Sequence, residues 1–261
     1  VSRFQIVNGN VSVINSDFNV SGVSTFTGNI NANGNIVGDD STNISGINSV
    51  TATEYYGTGG IGSKLFVQDS QNNLKAGFRS GIAITTGEVT AQRNVLIGYD
   101  AGRRMCCGCH NVLIGDNVLN RIHRGRYNVM MGVQVGSAFT QDASVTNNVF
   151  IGRCVAISQQ ANVSNSIAIG SNAAKNGTSN SSIIMGPSAG VGVLGQTHSQ
   201  NIFLGTNAGT SISTGNTNIA IGNGAGRCLC PGDLNIYLGQ NAGKCNVKGD
   251  CNIALGSHAL Y

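Results

Sequence analysis

A short pattern of apolar and polar positions recurs ten times between Asn94 and Tyr261. In each copy an Asn or Ser is followed by three apolar residues, a Gly, two variable residues and a small Ala or Val. Successive glycines are 16–20 residues apart, and they are Gly98, Gly115, Gly132, Gly152, Gly170, Gly186, Gly205, Gly222, Gly239 and Gly256. Because a regular period in this range is typical of stacked coils, the pattern predicts an all-β fold, a parallel β-solenoid or β-roll of about ten coils.

The three apolar residues of each copy predict a short strand. The first of them is Val or Ile in all ten copies, and β-branched residues favour extended backbone. Since the first and third apolar positions lie two residues apart, they share one face of the strand, which we expect to fill the interior. The predicted core therefore includes Val95, Ile97, Val112, Ile114, Ile219, Ile221, Ile236 and Leu238.

The middle apolar position is expected to point to the other side of the strand. It carries no charge in any copy, so both faces of the strand are apolar and an isolated solenoid would expose an apolar stripe. We expect the stripe to pack against other copies of the chain in a closed homotrimer, the alternative being a cover formed by an N-terminal segment. The predicted oligomer interface comprises Leu96, Leu113, Met130, Phe150, Phe203 and Tyr237.

Polar and small residues frame each strand. The Gly supplies a turn in which positive φ is readily adopted, and the small residue three positions later fits a tight corner. Asn begins eight of the ten copies, and the exceptions are Ser166 and Ser182. Stacked Asn side chains are expected to form a hydrogen-bonded ladder along the solenoid, as they do in cross-β stacks.

Composition agrees with an all-β interpretation and narrows the function. The 261 residues include 38 Gly, only 10% are charged, and the formal net charge is +4. Glu occurs only at Glu54 and Glu88, so long helices are not expected. No apolar run approaches the roughly 20 residues of a membrane span, and so mild a charge does not indicate nucleic acid. The chain starts at Val1 without a signal peptide, and we interpret it as part of a longer or processed polypeptide.

The N-terminal third differs from the repeat region at 94–261. Residues 1–57 alternate weakly and contain few large apolar side chains, so they could not bury a core alone. We expect them to form a β-rich shaft in which three chains share one axis. Residues 58–93 are predicted to form a hairpin-like neck or cap, because a solenoid needs an atypical unit at its end.

Eight cysteines leave three interpretations open: free thiols, disulfides or a metal site. Cys228 and Cys245 each lie seven residues before the next core Asn, so they are expected to stack in adjacent coils. Their Cα atoms would then be about 4.8 Å apart, within the roughly 4.4–6.8 Å that disulfides span. This pair is a candidate disulfide or thiol stack, and we expect no metal ion and no cofactor.

Two pairs of charged residues also share register positions. Arg104 and Arg121 are expected to stack in adjacent coils, where they are candidates for contact with an anionic surface polysaccharide. The alternative is an ordinary solvated face. Asp233 and Asp250 are the one obvious carboxylate pair of the repeat region. Because they would lie on a flat face and not across a sugar cleft, we assign no catalytic residue and do not expect an enzyme.

Several copies resemble the repeats of known fibre proteins. NVLIGYDAGR, NIFLGTNAG and NIYLGQNAGKC are similar to repeats in tail fibres and related structural proteins of marine bacteriophages, and residues 20–60 are similar to segments of such proteins. NIAIGNGAG and SIAIGSNAA more distantly resemble the head repeats of trimeric autotransporter adhesins, although the present coil is longer and rich in cysteine. The resemblance implies a trimer on the virion surface that contacts other tail proteins and a host polysaccharide or protein, with no membrane insertion and no nucleic acid.

Three functions follow from these expectations. The first is a structural fibre protein of a bacteriophage virion that displays or supports host attachment. The second is a secreted trimeric adhesin or self-assembling filament of a bacterial surface. The third, a glycan-degrading tailspike, is disfavoured by the scarcity of paired carboxylates.

Overall fold

A computed structural model describes residues 67–85, 91–140, 143–157, 162–228, 231–245 and 249–261 of the chain. All of them lie in the second of the two compact units into which the chain divides, Gly59–Tyr261. The trimeric shaft predicted for residues 1–57 lies outside the described residues.

Short strands and tight turns make up almost all of the described chain, with one 3₁₀ turn at Ile82–Thr85. The strands are β1 (Val67–Gln68), β2 (Leu74–Ala76), β3 (Val95–Ile97), β4 (Val112–Asp116), β5 (Gly125–Arg126), β6 (Val129–Val133), β7 (Val145–Thr146), β8 (Val149–Arg153), β9 (Val163–Ser164), β10 (Ile167–Ile169), β11 (Thr178–Asn180), β12 (Ile183–Met185), β13 (Thr197–Ser199), β14 (Ile202–Leu204), β15 (Ile219–Ile221), β16 (Ile236–Leu238) and β17 (Ile253–Leu255).

One long sheet collects the core strand of every coil. Its order is β1-β2-β3-β4-β6-β8-β10-β12-β14-β15-β16-β17, and every neighbouring pair from β2 onward is parallel and in register. A second side of the coils carries the short ladders β5-β7-β9 and β11-β13. The protein is therefore an all-β parallel solenoid, as predicted. At about 4.8 Å per coil, the long sheet extends for roughly 50 Å.

Burial of the core strands reverses the predicted assignment of inside and outside. The middle apolar residues point into the interior and are at most 1% exposed, so the prediction that they form an oligomer interface is wrong: Leu96, Leu113, Met130, Phe150, Phe203 and Tyr237. The residues on either side of them point outward and are half-buried or exposed, so their assignment to the core is also wrong: Val95, Ile97, Val112, Ile114, Ile219, Ile221, Ile236 and Leu238.

The Asn ladder explains this reversal. The backbone N–H and the Nδ2 of Asn111 both donate to Oδ1 of Asn94 at 2.9 Å, and Nδ2 also donates to the carbonyl of Gly125 at 2.7 Å. Both Asn side chains are completely buried, so the predicted ladder is confirmed as an interior feature. Because Asn94 and Leu96 lie two residues apart on one strand, they must share the interior face.

The turns after the strands follow the prediction. Gly205, for example, has φ of +135°, and a Cβ placed on it would lie 2.6 Å from the carbonyl oxygen of Gly222 in the next coil. The small residue three positions after the Gly is buried at the corner in the coils from Ala101 to Ala242, as at Ala208 and Ala225, and partly buried at Ala259 in the last coil. The Gly thus serves both a left-handed backbone conformation and a close approach between coils.

Residues 67–85 and 91–93, the described part of the predicted neck or cap, contain an antiparallel hairpin and one further coil. Strand β2 pairs in parallel with β3, while β1 pairs with β2 in an antiparallel hairpin at the end of the sheet. The prediction that 58–93 as a whole forms a neck or cap stays a prediction. Asp69 takes the place of a preceding Asn in the ladder. Its Oδ1 accepts two hydrogen bonds from Asn73, one from the backbone N–H at 2.9 Å and one from Nδ2 at 3.1 Å. Lys75 occupies the inward position of β2, with its ammonium group 3.0 Å from Asp69. This ion pair lets a charged side chain close the end of an apolar interior.

Candidate functional site

An uncharged apolar stripe covers the outside of the long sheet. We call it the outer face. It consists of the first and third apolar residues of the ten core strands, which are β3, β4, β6, β8, β10, β12, β14, β15, β16 and β17. Every one of its side chains is Val, Ile, Leu or Met, and they remain accessible even where a coil lies on both sides, with Ile221 of β15 39% and Leu238 of β16 36% exposed. Two side chains wide and roughly 50 Å long, the face covers about 500 Å², the size at which apolar patches mark interaction surfaces.

Arg104 and Arg121 lie where the sequence placed them. The N–H of Gly102 bonds to the carbonyl of Val118, and this register sets Arg104 beside Arg121 in the next coil. Both side chains are exposed, as are Arg124 and Arg126 farther along the same side of the coil. Met105 and Ile122 of these segments are buried, so the arginines point outward while the apolar residues between them point into the interior.

A pair of stacked rings stands next to these arginines. His110 and Tyr127 occupy equivalent positions of adjacent coils, with ring centroids 5.1 Å apart and planes inclined by 18°. Arg93 holds the same position one coil earlier, and all three have positive φ. Sequence reasoning missed this column because its chemistry changes from coil to coil. An alignment on the position before the core Asn would have shown the three residues in register.

A second aromatic cluster lies at the corner after the first two core strands. The rings of Phe78 and Tyr99 stack with centroids 5.6 Å apart, and the guanidinium of Arg79 lies 5.2 Å from the first and 5.1 Å from the second. Arg79 also forms a two-point ion pair with buried Asp100, whose Oδ1 and Oδ2 lie 2.6 and 2.7 Å from Nε and Nη2. Because the charge of Arg79 is already paired, this cluster joins two coils and does not offer a free cation.

Seven cysteines lie in the described part of the chain, all as free thiols. Cys228 donates its backbone N–H to the carbonyl of Lys244 at 3.2 Å, which places it opposite Cys245 in the next coil. The predicted pair is therefore in register, and its oxidation to a disulfide stays a prediction. Cys106 and Cys107 lie closer together, with Sγ atoms 3.2 Å apart. Burial and the Cys107 thiol raise the pKa of Cys106.

Asp233 and Asp250 stack as the register predicted, and both are engaged by backbone. Oδ1 of Asp233 accepts the N–H of Asn216 at 2.6 Å, and Oδ1 of Asp250 accepts the N–H of Asp233 at 2.8 Å. The two carboxylates thus form an exposed ladder. They border a shallow hollow of about 350 Å³ lined by Thr214, Pro231, Gly232, Asp233, Gly249 and Asp250.

One buried histidine replaces a missing part of the Asn ladder. Asn201 follows Ser182, which has no carboxamide, and its Nδ2 instead lies 3.4 Å from Nδ1 of His198. Nε2 of His198 lies 3.1 Å from Oγ of Ser179. An Nε2–H tautomer satisfies both contacts, because Nδ1 then accepts and Nε2 donates. Burial lowers the pKa of His198 to about 4.

Acid should therefore destabilise the solenoid through His198. Between pH 6.5 and about 4 the unfolded chain binds a proton at this side chain and the folded chain does not, so stability falls as pH is lowered through this window. From pH 7 to pH 5 we expect a loss of about 2 kcal/mol in the free energy of unfolding. Urea titrations of the wild type and of His198→Asn measure it, and the variant should lose this dependence.

The matched control for this measurement is His110→Asn, which removes an exposed imidazole. It should retain the wild-type pH dependence. If the free energy of unfolding changed equally with pH in the wild type and in His198→Asn, His198 would not resist protonation in the folded chain.

The described ranges contain no cluster of three or more His, Cys, Asp or Glu side chains arranged to hold a metal ion. Among the same residues no helix is long and apolar enough to cross a bilayer. Comparison of the chain with protein-family models, with curated proteins and with solved structures gave no match.

Proposed function

We propose that this chain is a structural fibre protein of a bacteriophage virion, a rigid rod that displays or supports contact with the host surface. The observation that carries the proposal is an in-register solenoid with an uncharged apolar outer face. Stacked coils provide length and stiffness, which a fibre requires. The resemblance of NVLIGYDAGR and NIYLGQNAGKC to phage fibre repeats supports the assignment to a virion.

A homotrimer is the assembly that we propose for this rod. The outer face has a uniform spacing of about 4.8 Å along its length, and a second copy of the same solenoid offers an apolar surface with the same spacing. Three narrow faces around one axis bury one another and leave no apolar stripe in water. This interface uses Ile221 and Leu238, and not the middle residues that the sequence suggested.

Charge on the outer face should therefore dissociate the trimer. Because Ile221 and Leu238 are accessible in the single chain, Ile221→Lys with Leu238→Lys should leave each solenoid folded while burying two ammonium groups at the interface. In analytical ultracentrifugation the wild type should sediment at three times the 26.8 kDa chain mass, and the double variant as a monomer.

Thr206→Lys with Gln240→Lys is the matched control for this experiment, since both positions are exposed at the corner after the strand. It should remain trimeric and keep the wild-type circular dichroism. A wild type that sediments as a monomer would refute the trimer.

The location of the protein separates the two leading functions. Antibodies against the chain should decorate an appendage of purified virions in immunogold electron microscopy. Labelling of bacterial surfaces without labelling of virions would instead support the second candidate, a secreted trimeric adhesin or filament. That candidate is favoured by the likeness of NIAIGNGAG and SIAIGSNAA to adhesin head repeats.

A further inference from the structure

Positive charge is concentrated in three coils near the N-terminal end of the rod. Residues 91–140 contain six arginines against two aspartates, an excess of four that equals the formal net charge of the whole chain, +4. Asp100 is paired with Arg79, and Asp116 accepts a hydrogen bond from Asn117 at the turn after β4. The excess therefore lies on the side of the coil that runs from Leu119 to Tyr127. We call this side, together with residues 103–110 and Arg93, the basic side.

All guanidinium groups of the basic side except that of Arg103 lack a counter-ion in the described part of the chain. Ion pairs there involve Lys75, Arg79 and Arg103, whereas five exposed arginines have none: Arg93, Arg104, Arg121, Arg124 and Arg126. Arg104 and Arg121 are in register in adjacent coils, whose backbones are about 4.8 Å apart, so their like charges are neighbours and repel each other. An external anion that bridges them would relieve this repulsion.

The ring pair adds an apolar element to the same side. Tyr127 is 56% exposed, and its ring stacks on His110 instead of entering the core. Its φ of +57° is the conformation that this position has in every coil, from Arg93 to Cys251, so the backbone turns the side chain at this position outward whatever its type. At Tyr127 and His110 the residues presented in this way are aromatic rings, and they stand beside exposed arginines.

We propose that the basic side binds an acidic polysaccharide, with Arg104, Arg121 and Arg126 contacting its carboxylates or sulfates and the Tyr127–His110 rings contacting the C–H face of a sugar. This inference rests on the proposed function, for which it names the class of host ligand. Arg93, in register with the rings, extends the cationic surface by one coil. One sugar residue spans about the same distance along a polysaccharide as the spacing of about 4.8 Å between coils along the rod. Successive sugar residues can therefore meet successive coils.

The neutral part of the same side favours a polysaccharide over a nucleic acid. Beyond Arg126 and Tyr127 the equivalent positions hold Thr146 and Asn147, then Ser164 and Asn165. Hydroxyl and carboxamide groups pair with sugar hydroxyls. A polynucleotide carries a charge on every residue and would meet no further cation at these equivalent positions. A ligand with sparse charges and many hydroxyls matches the surface better.

Binding to polygalacturonate tests the proposal on the full chain, with dextran as the neutral polymer and poly(dT) as the polyphosphate. Isothermal titration calorimetry should detect polygalacturonate but not dextran. Arg104→Gln with Arg121→Gln should weaken binding roughly tenfold. The matched control, Arg153→Gln with Arg227→Gln, removes the same charge from exposed positions elsewhere and should change the affinity less than about twofold.

Tyr127→Asn provides a second readout that a purely structural role would not give. It should weaken binding while raising the unfolding midpoint, because Asn tolerates positive φ. Equal losses in both arginine double variants, tighter binding of poly(dT), or no binding of polygalacturonate would overturn the proposal. Virion labelling and sedimentation are measured independently, so the proposed function can stand if this site fails.

Discussion

Replacing Gly205 by Ala is expected to cost about 3–5 kcal/mol in the free energy of unfolding. Two effects add. Gly205 has φ of +135°, a conformation that L residues avoid, and its new Cβ would lie 2.6 Å from the carbonyl oxygen of Gly222. Since the obstructing atom belongs to the backbone of the next coil, it cannot move without separating the two coils. Urea unfolding followed by circular dichroism measures the change.

Gly256→Ala is the matched control for this substitution. Gly256 has φ of +113°, but no atom lies within 4 Å of the Cβ that Ala would add. It should show only the backbone penalty of about 1–2 kcal/mol. If Gly205→Ala and Gly256→Ala were equally stable, contact between stacked coils would not be the reason for Gly at position 205.

Removal of one ladder side chain should have a comparable effect. Asn218 accepts both the N–H of Asn235 at 3.0 Å and its Nδ2 at 3.1 Å, and its own Nδ2 donates to Gly232 at 2.8 Å. Asn218→Ala leaves the backbone N–H of Asn235, one of the two Nδ2 hydrogens of Asn235 and the carbonyl of Gly232 without partners. The other Nδ2 hydrogen of Asn235 keeps its bond to Gly249. At roughly 1–3 kcal/mol for each buried group, we expect a loss of about 4 kcal/mol in the free energy of unfolding.

Asn218→Ser is the informative comparison, because the chain itself uses Ser at two positions of the ladder. The hydroxyl of Ser182 accepts the N–H of Asn201 at 3.2 Å, and that of Ser166 donates to the carbonyl of Ser179 at 2.8 Å. Ser at position 218 should therefore recover about half of the stability lost in Asn218→Ala. Hydrogen exchange at the N–H of Asn235 provides a local readout. Unchanged protection in Asn218→Ala would contradict the proposed role of the ladder.

The period, the strands, the turns and the ladder were predictable because each follows from local chemistry repeated ten times. The orientation of the strand was not read correctly, because all three of its positions are apolar and alternation then carries no information about burial. The polar residue before the strand decides its orientation. Asn94 lies two residues before Leu96, so a ladder that is buried from water places the middle apolar position inside as well.

The first coil and the ring pair on the basic side were overlooked for related reasons. The β2 coil carries Lys75 at the interior position, a substitution that only the ion pair with Asp69 at the end of the stack makes acceptable. The stacking of Arg104 on Arg121 follows from register alone, whereas the ring pair of His110 and Tyr127 depends on a backbone conformation that their residue types disfavour. Positive φ at a His or a Tyr cannot be predicted from the residue type.

The Asn ladder also gives the rod an electrical direction. Each Asn carbonyl, as at Asn94 and Asn111, points toward the following coil and receives that coil's N–H groups. The side-chain dipoles therefore add head to tail, in the manner of peptide dipoles along a helix. Their positive end lies at Asn73, where the carboxylate of Asp69 neutralises it, and their negative end points toward Asn252. The two ends of the solenoid are thus unequal in potential, and a charged neighbour would distinguish them before touching either.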